Sequence, residues 1–343
     1  MDGLLIVDKP SGPTSHDVVA RMRRVLREPR IGHTGTLDPL ATGVLLLVVG
    51  KATRLAKFLR ASDKSYDAVI RLGFATDTAD VLGRPLGPVH TGPMPSRAEI
   101  ETALDEFRGT FMQQPPAFSA KKIDGQRSYK LARAARAARN LARTLARGRE
   151  SIASSAIDDP QDQQGASTQE MKMTPDPCLV TSYAVNVVRA DDDLVTLSVD
   201  CSAGFYIRSL AHDLGERLGT GAHLTALRRT RTGSFTLDQA VTLDAVERDA
   251  QQAAAALLPL AGMLPALPSV VLTEEGVTRV LHGQDLRPHD QLSTLKSQLS
   301  TLNSQPSALS PEPFVRLLNA RGELLAIAEP TGSGALHPSV VLV

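Results

Sequence analysis

The residues Gly32-His33-Thr34-Gly35-Thr36-Leu37-Asp38-Pro39-Leu40-Ala41-Thr42-Gly43 put a carboxylate on a constrained loop. The Gly32, Gly35 and Gly43 positions and Pro39 enforce an irregular backbone there. Pro39 disfavours the helical region for the residue before it, so Asp38 is presented extended. Functional side chains often sit on such loops. A carboxylate is ionised at neutral pH, its reference pKa being about 3.9. It therefore suits a nucleophile or a charge stabiliser better than a general acid. To stay ionised in a closed pocket it needs a cation nearby. The segment Gly204-Phe205-Tyr206-Ile207-Arg208 offers Arg208, at the start of a helical pattern. Taken singly, Asp38 also reads as an exposed turn residue and Arg208 as a surface residue.

Other chemistries lack their residues. A phosphate-binding P-loop needs Gly at position 45, and Leu45 stands there. No Gly-x-Gly-x-x-Gly precedes a helical pattern. His33, His212 and His223 lack ligand spacing and no His-Glu-x-x-His occurs, so no metal is expected. Gly-x-Ser-x-Gly is absent, which weakens a serine hydrolase.

Periodicity shows the elements that must position these residues. Residues 4–7 form a short apolar strand running into Asp8-Lys9-Pro10. A turn over 11–15 leads to a helix striped by Val18, Val19, Met22, Val25 and Leu26. Residues 44–49 are a dense apolar run. Tyr66, Ala68, Ile70 and Leu72 alternate as in a half-buried strand. The spacing predicts a helix over 99–107, a strand over 194–199 and a helix striped by Ile207, Leu210, Ala211, Leu214 and Leu218, stopped by Gly219 and Gly221. Strands and helices mix without regular βαβ spacing, so the fold class is α+β. Residues 315–318, 324–328 and 340–343 read as strands of a small β-rich tail. Two domains are expected, 1–265 and 269–343.

Two segments read as flexible insertions. Residues 133–176 begin Ala/Arg-rich and become Ser/Gln/Asp-rich, and 291–310 repeat Gln-Leu-Ser-Thr-Leu. Arg133, Arg136, Arg139, Arg143 and Arg147 fall near one helical face. They read either as an extra phosphate-binding helix or as a solvated Ala-rich insertion.

The chain has 343 residues, 42 % hydrophobic and 22 % charged, an ordinary globular composition. Its 2 Cys exclude a disulfide scaffold and suit a reducing compartment. Asp2 stands where a signal peptide would carry base, and the apolar run at 44–49 is far short of the roughly 20 residues of a membrane span. The cytoplasm is the expected location, with no membrane partner. The formal net charge of +1 argues at first against nucleic acid. Its distribution reverses that. Residues 1–60 are net +5 and 203–232 net +3, whereas 150–202 are net −8. A basic face is compatible with a neutral total, because binding follows the local field.

Ordered blocks then carry a resemblance: Gly3-Leu4-Leu5-Ile6-Val7-Asp8-Lys9-Pro10 with Thr14-Ser15; the 32–43 loop; Lys64-Ser65-Tyr66; Thr76-Asp77-Thr78-Ala79-Asp80 with Gly83; Gln114-Pro115-Pro116-Ala117-Phe118-Ser119-Ala120; Tyr206-Ile207-Arg208; and Gly221-Ala222-His223 with Leu227-Arg228-Arg229. Spanning residues 3–229, they resemble the bacterial tRNA pseudouridine-55 synthase (TruB) family. The tail resembles, more weakly, a PUA-like domain. The resemblance implies a pseudouridine synthase fold with a mixed, mainly antiparallel sheet and flanking helices. It implies an isomerase that detaches uracil from its ribose in the T-arm of tRNA, rotates it and rejoins it through carbon 5, without cofactor or metal.

The resemblance makes Asp38 the nucleophile, with attack on the ribose carbon and attack on the base ring both open. Tyr66 would stack on the target base, Arg208 would pair with the Asp38 carboxylate, and Tyr206 would contact the nucleotide. His33 would lie against the displaced RNA loop, and Lys9 belongs near the site. A monomer without obligate protein partner is expected. An RNA-folding role, alone or beside catalysis, and a guide-RNA-dependent synthase remain as rival readings. Against the second, the chain starts directly at the first block and has no long basic tail.

Overall fold

The protein is described by a computed structural model for residues 1–119, 121–123, 126–128, 131–134, 137, 175–291, 314–332 and 334–342. Two compact units emerge. One comprises Met1–Ala68, Ser198–Ala203 and Ala226–Val343; the other comprises Val69–Leu197 and Gly204–Thr225. Three of the four boundaries fall within strands, Lys64–Leu72, Leu194–Cys201 and Ala222–Thr232, and the fourth lies between Ala203 and Gly204.

The first unit is built around Thr42–Val49, which pairs antiparallel with Gly3–Lys9 in the register Gly3↔Val49 to Lys9↔Gly43. Along its opposite edge, Ile31–His33 pairs antiparallel with residues 47–49, and Arg228 and Arg229 pair in parallel with Thr42 and Gly43. Val241 and Thr242 add a parallel pairing to Val7 and Asp8. Residues 43–49 are all buried, which explains an unbroken apolar run where a half-exposed strand would alternate. The helix predicted after the turn spans Ser15–Val25 and buries Ser15, Val18, Val19 and Met22. It starts where it does because of a capping box. Asp17 N donates to Thr14 Oγ1 at 3.1 Å, and Thr14 N donates to Asp17 Oδ2 at 2.8 Å.

The second unit contains the antiparallel pair Cys178–Asp191 and Gly109–Gln113. Its helices are Arg97–Leu104, followed by a tight turn over Asp105–Phe107, and Ile207–Leu218. The latter stops at Gly219 in the left-handed conformation, φ 71°. A side chain at Gly215 would place a Cβ 2.1 Å from Ala222 N, so this glycine lets the helix rest on the backbone after it.

The tail forms a sheet ordered Ser269–Val271, Val315–Leu318, Leu324–Pro330, Leu336–Val341. One core lies within it, where Val280 of the Glu274–Leu281 helix meets Val270, Val315, Leu317 and Ala326. Leu324, Ile327, Val340 and Leu342 belong instead to the cluster of Leu4, Ile6, Val44, Leu46 and Val48. The tail thus covers a face of the central strands.

The class is α+β, a mixed sheet with flanking helices and a small C-terminal sheet, as read from the sequence. Among the described residues no helix is long and apolar enough to cross a membrane. The last tail strand starts at Leu336, not 340. Pro338 hides its beginning, because it sits where the register shifts between Ile327 and Ala328. Arg136, Arg139, Arg143, Arg147, nearly all of 133–176 and residues 292–310 lie outside the described residues.

Ile327 is fully buried in the shared cluster. Ile327→Ala should lower the unfolding free energy by about 2–5 kcal/mol, measured by urea denaturation. A loss below about 0.5 kcal/mol would mean that the tail does not cover the central strands.

Candidate active site

In the first unit, the loop between Ile31–His33 and Thr42–Val49 presents Asp38 half-buried. Its backbone is fastened from several sides. Leu37 N donates to Ser15 Oγ at 2.8 Å, and that hydroxyl lies 3.1 Å from Leu37 O. Gly12 N donates to Pro39 O at 2.8 Å, and Ala41 N closes a turn onto Asp38 O at 3.1 Å. Ser15 is buried because it opens the capped helix, so the helix start and the loop are one construction.

Two buried cations complete it. Lys9 is 0 % exposed, at the end of its strand. Its Nζ donates to Ala41 O at 2.7 Å, Pro10 O at 2.9 Å and Pro39 O at 3.5 Å. Burial pulls its pKa down to about 8 against the opposing pull of the Asp38 charge. Arg229 donates through Nε to Val44 O at 2.7 Å, and through its terminal nitrogens to Gly35 O at 3.2 Å and Thr36 O at 3.5 Å.

Tyr66 opens the alternating stripe of its strand and is buried. Burial pushes its phenol pKa up, while the Arg229 guanidinium beside it favours the ionised form. The charge of Asp38 also acts on this phenol. Lys64, two residues earlier on the same face, is brought down to about 8 by burial and then by Arg229. Its ammonium donates to Ser62 O and, at 3.3 Å, to Arg60 O.

His33 stands at the loop's entry with its ring edge-on to His16, centroids 5.3 Å apart. Burial first, then His16, Arg229 and Arg60, depress its pKa to about 4. Its Nδ1 is buried without a hydrogen-bond partner among the described residues. Asp38, Tyr66, His33 and Lys9 are therefore brought together in one unit.

Arg208 and Tyr206 lie in the other unit. Arg208 is the second residue of its helix and is buried. It donates to Phe118 O at 2.7 Å and Thr78 O at 3.1 Å, and lies 3.9 Å from the buried Asp80 carboxylate. Asp80 accepts from Thr78 Oγ1 at 2.7 Å and Leu82 N at 3.0 Å. Tyr206, half-buried, is held by its backbone, which exchanges two hydrogen bonds with the Gln113 amide at 2.8 and 3.0 Å. Among the described residues no group of three or more His, Cys, Asp or Glu could hold a metal.

Sequence reasoning left Arg229 and Ser15 as members of blocks without individual roles. Strand alternation from Leu227 would have pointed Arg229 inward. Ser15 carries no such signal, because its role depends on a loop more than twenty residues away.

Residues 23–147 match the TruB family pseudouridylate synthase (N terminal domain), and residues 208–265 match the tRNA pseudouridylate synthase B C-terminal domain. The tRNA pseudouridine synthase B of Solibacter usitatus is 38 % identical over 344 residues, covering 100 % of both chains. That of Ralstonia nicotianae is 42 % identical, covering 98 % of this chain and 92 % of the relative. Among solved structures, a chain of a Cbf5-Nop10-Gar1 complex superposes with a TM-score of 0.65 at 24 % identity, over 99 % of this chain and 85 % of that one. At that identity the likeness concerns the fold.

The state of His33 is measurable. The folded chain takes up its imidazole proton near pH 4, and the unfolded chain near the ordinary imidazole value of 6.5. Unfolding is therefore favoured progressively as pH falls through that window, and the contribution is fully present above it. The His33 Cε1 proton resonance should titrate with a midpoint about two pH units below that of an exposed His. A midpoint at the ordinary value would show that the ring is solvated.

Proposed function

The chain belongs to the TruB family of pseudouridylate synthases, and on that premise we propose that it isomerises uridine-55 in the T-loop of tRNA to pseudouridine with Asp38 as nucleophile. The enzyme class is isomerase, acting on tRNA uridine. One observation carries the finer reading. A half-buried carboxylate is presented on a loop whose carbonyls are hydrogen-bonded to two buried cations, with the buried Tyr66 phenol within reach of its charge.

The reaction makes demands that these groups meet. The target base must leave its stack, at a cost of a few kcal/mol. An aromatic face recovers about 1–3 kcal/mol by stacking, which is the role assigned to Tyr66. That ring is 7 % exposed, so RNA binding must uncover it. Asp38 then displaces uracil from C1′ or adds to the base ring. On the first route C5 of the turned base displaces the Asp38 carboxylate from C1′; on the second the N1–C1′ bond breaks after addition, the turned base bonds C1′ through C5, and the carboxylate is eliminated from the ring. On both routes C5 loses its proton and N1 gains one, so Asp38 is regenerated.

Arg208 serves as counter-cation to the Asp38 carboxylate, Tyr206 contacts the nucleotide and His33 faces the displaced RNA loop. Lys9, being fully buried, serves the substrate only through the loop carbonyls it holds. The exposed Arg23, Arg24, Arg27, Arg54, Lys57 and Arg60 of the first unit supply the field for a polyanion. The division into a catalytic domain, 1–265, and a PUA-like tail, 269–343, belongs to the same proposal, as does action as a monomer in the cytoplasm.

Release of label from uridine C5 tests the assignment. With a tRNA transcript alone, wild type should release tritium, and a transcript lacking uridine at position 55 should release none. Asp38→Asn should abolish release while tRNA affinity stays within about two-fold. Substantial release by that variant removes Asp38 as nucleophile. An RNA-folding role would show as rescue, by the inactive variant, of cells lacking the enzyme.

A further inference from the structure

Arg229 is 2 % exposed, in the interior of its unit. Its hydrogen bonds run to carbonyls of Gly35, Thr36 and Val44, and among the described residues no carboxylate forms an ion pair with it. Burying a charge with only neutral partners is costly. The donor geometry shows what the charge is used for. Two of the three carbonyls precede Asp38 and one follows it, so one rigid fork ties both arms of the loop together. The backbone of the same residue is in register with the loop's exit. Arg229 pairs in parallel with Gly43, whose φ is 99°, and a Cβ there would stand 2.2 Å from Arg229 O. The guanidinium also faces the Tyr66 phenol.

We propose that Arg229 is the positioning residue of this site, setting the spacing between the Asp38 carboxylate and the Tyr66 ring through its fork of bonds to the loop carbonyls. This deepens the proposed function and rests on its assignment of chemistry to Asp38 and Tyr66. Arg229 acts through the loop, because its donors are directed at the carbonyls of Gly35, Thr36 and Val44. A planar guanidinium holds separated acceptors that a compact ammonium does not reach together.

The test compares Arg229→Lys, Arg229→Gln and Val280→Ala in single-turnover reactions at saturating tRNA transcript. Val280→Ala serves as a destabilised control, because Val280 is buried in the tail's own core and not in the cluster that holds Val44. At a temperature where all are folded by circular dichroism, Arg229→Lys should slow the first turnover roughly 100-fold. Its tRNA affinity should stay within about two-fold and the control rate should stay at wild type. Amide exchange over residues 34–41 should quicken in Arg229→Lys while the Gly3–Lys9 strand keeps its protection. Should Arg229→Gln fail to fold, Arg229→Lys carries the test alone, since it keeps the charge and loses the fork. A wild-type rate in folded Arg229→Lys, or an equal loss in the control, overturns the proposal. An inactive wild type overturns the function instead, and the exchange measurement then still decides whether Arg229 holds the loop.

Discussion

The site depends on the hydrogen bonds that Lys9 and Arg229 make to backbone carbonyls on either side of Asp38. A loop rich in Gly and Pro has few ladder partners for its carbonyls, and Pro39 has no N–H to offer. Buried carbonyls must still be paired. Ammonium and guanidinium groups carry several donors each, so two side chains pair with Gly35, Thr36, Pro39, Ala41 and Val44. The cost falls on the cations, and the drop of the Lys9 pKa to about 8 records it. The placement of the Asp38 carboxylate is thus set by side chains whose donors face the loop's own carbonyls.

That constraint explains why some of the site could be read from the sequence and some could not. Local patterns were legible: the turn over 11–15 with the helix stripe after it, the alternation from Tyr66 to Leu72, the stop at Gly219. The constrained Asp38 was legible from Gly and Pro spacing. The long strand Cys178–Asp191 was not, because it begins beside an insertion-like stretch and carries Ser, Asn and Arg among its apolar positions. The strand Ala222–Thr232 was hidden by Arg228, Arg229 and Arg231, which interrupt its apolar alternation. In the fold these three do different work. Arg228 pairs with Asp8, Arg231 with Asp200, and Arg229 goes inward to carbonyls. Composition cannot separate such fates, because they depend on which side of the strand each residue occupies.

The same strands link the loop to the tail. Val44, Leu46 and Val48 face a core completed by Ile327, Val340 and Leu342. Residues 42–44 at the start of that strand receive the bonds of Arg229 and the pairing of Arg228. A strand buried on both faces has little freedom to shift, since interiors are close-packed. The tail therefore contributes to the site's rigidity without contributing a side chain to it. In the Arg316 fork the same device recurs, with bonds to Leu267 O at 2.9 Å and Ala261 O at 3.0 Å fastening the connection into the tail.

Among the described residues, two sets of cations obey different physics. Lys9, Lys64, Arg208 and Arg229 are buried and direct their donors at backbone carbonyls. Their electrostatics is local and little screened by salt. Arg23, Arg24, Arg27, Arg54, Lys57 and Arg60 are exposed and contribute to a field that salt weakens. The formal charge of +1 sums these cations and all others with the acids, of which residues 150–202 alone hold a net −8. A neutral sum therefore carries no weight against a polyanionic substrate. What decides is the local sign of the exposed charge: over residues 1–60, Arg23, Arg24, Arg27, Arg30, Arg54, Lys57 and Arg60 are exposed against Asp17 alone among the acids.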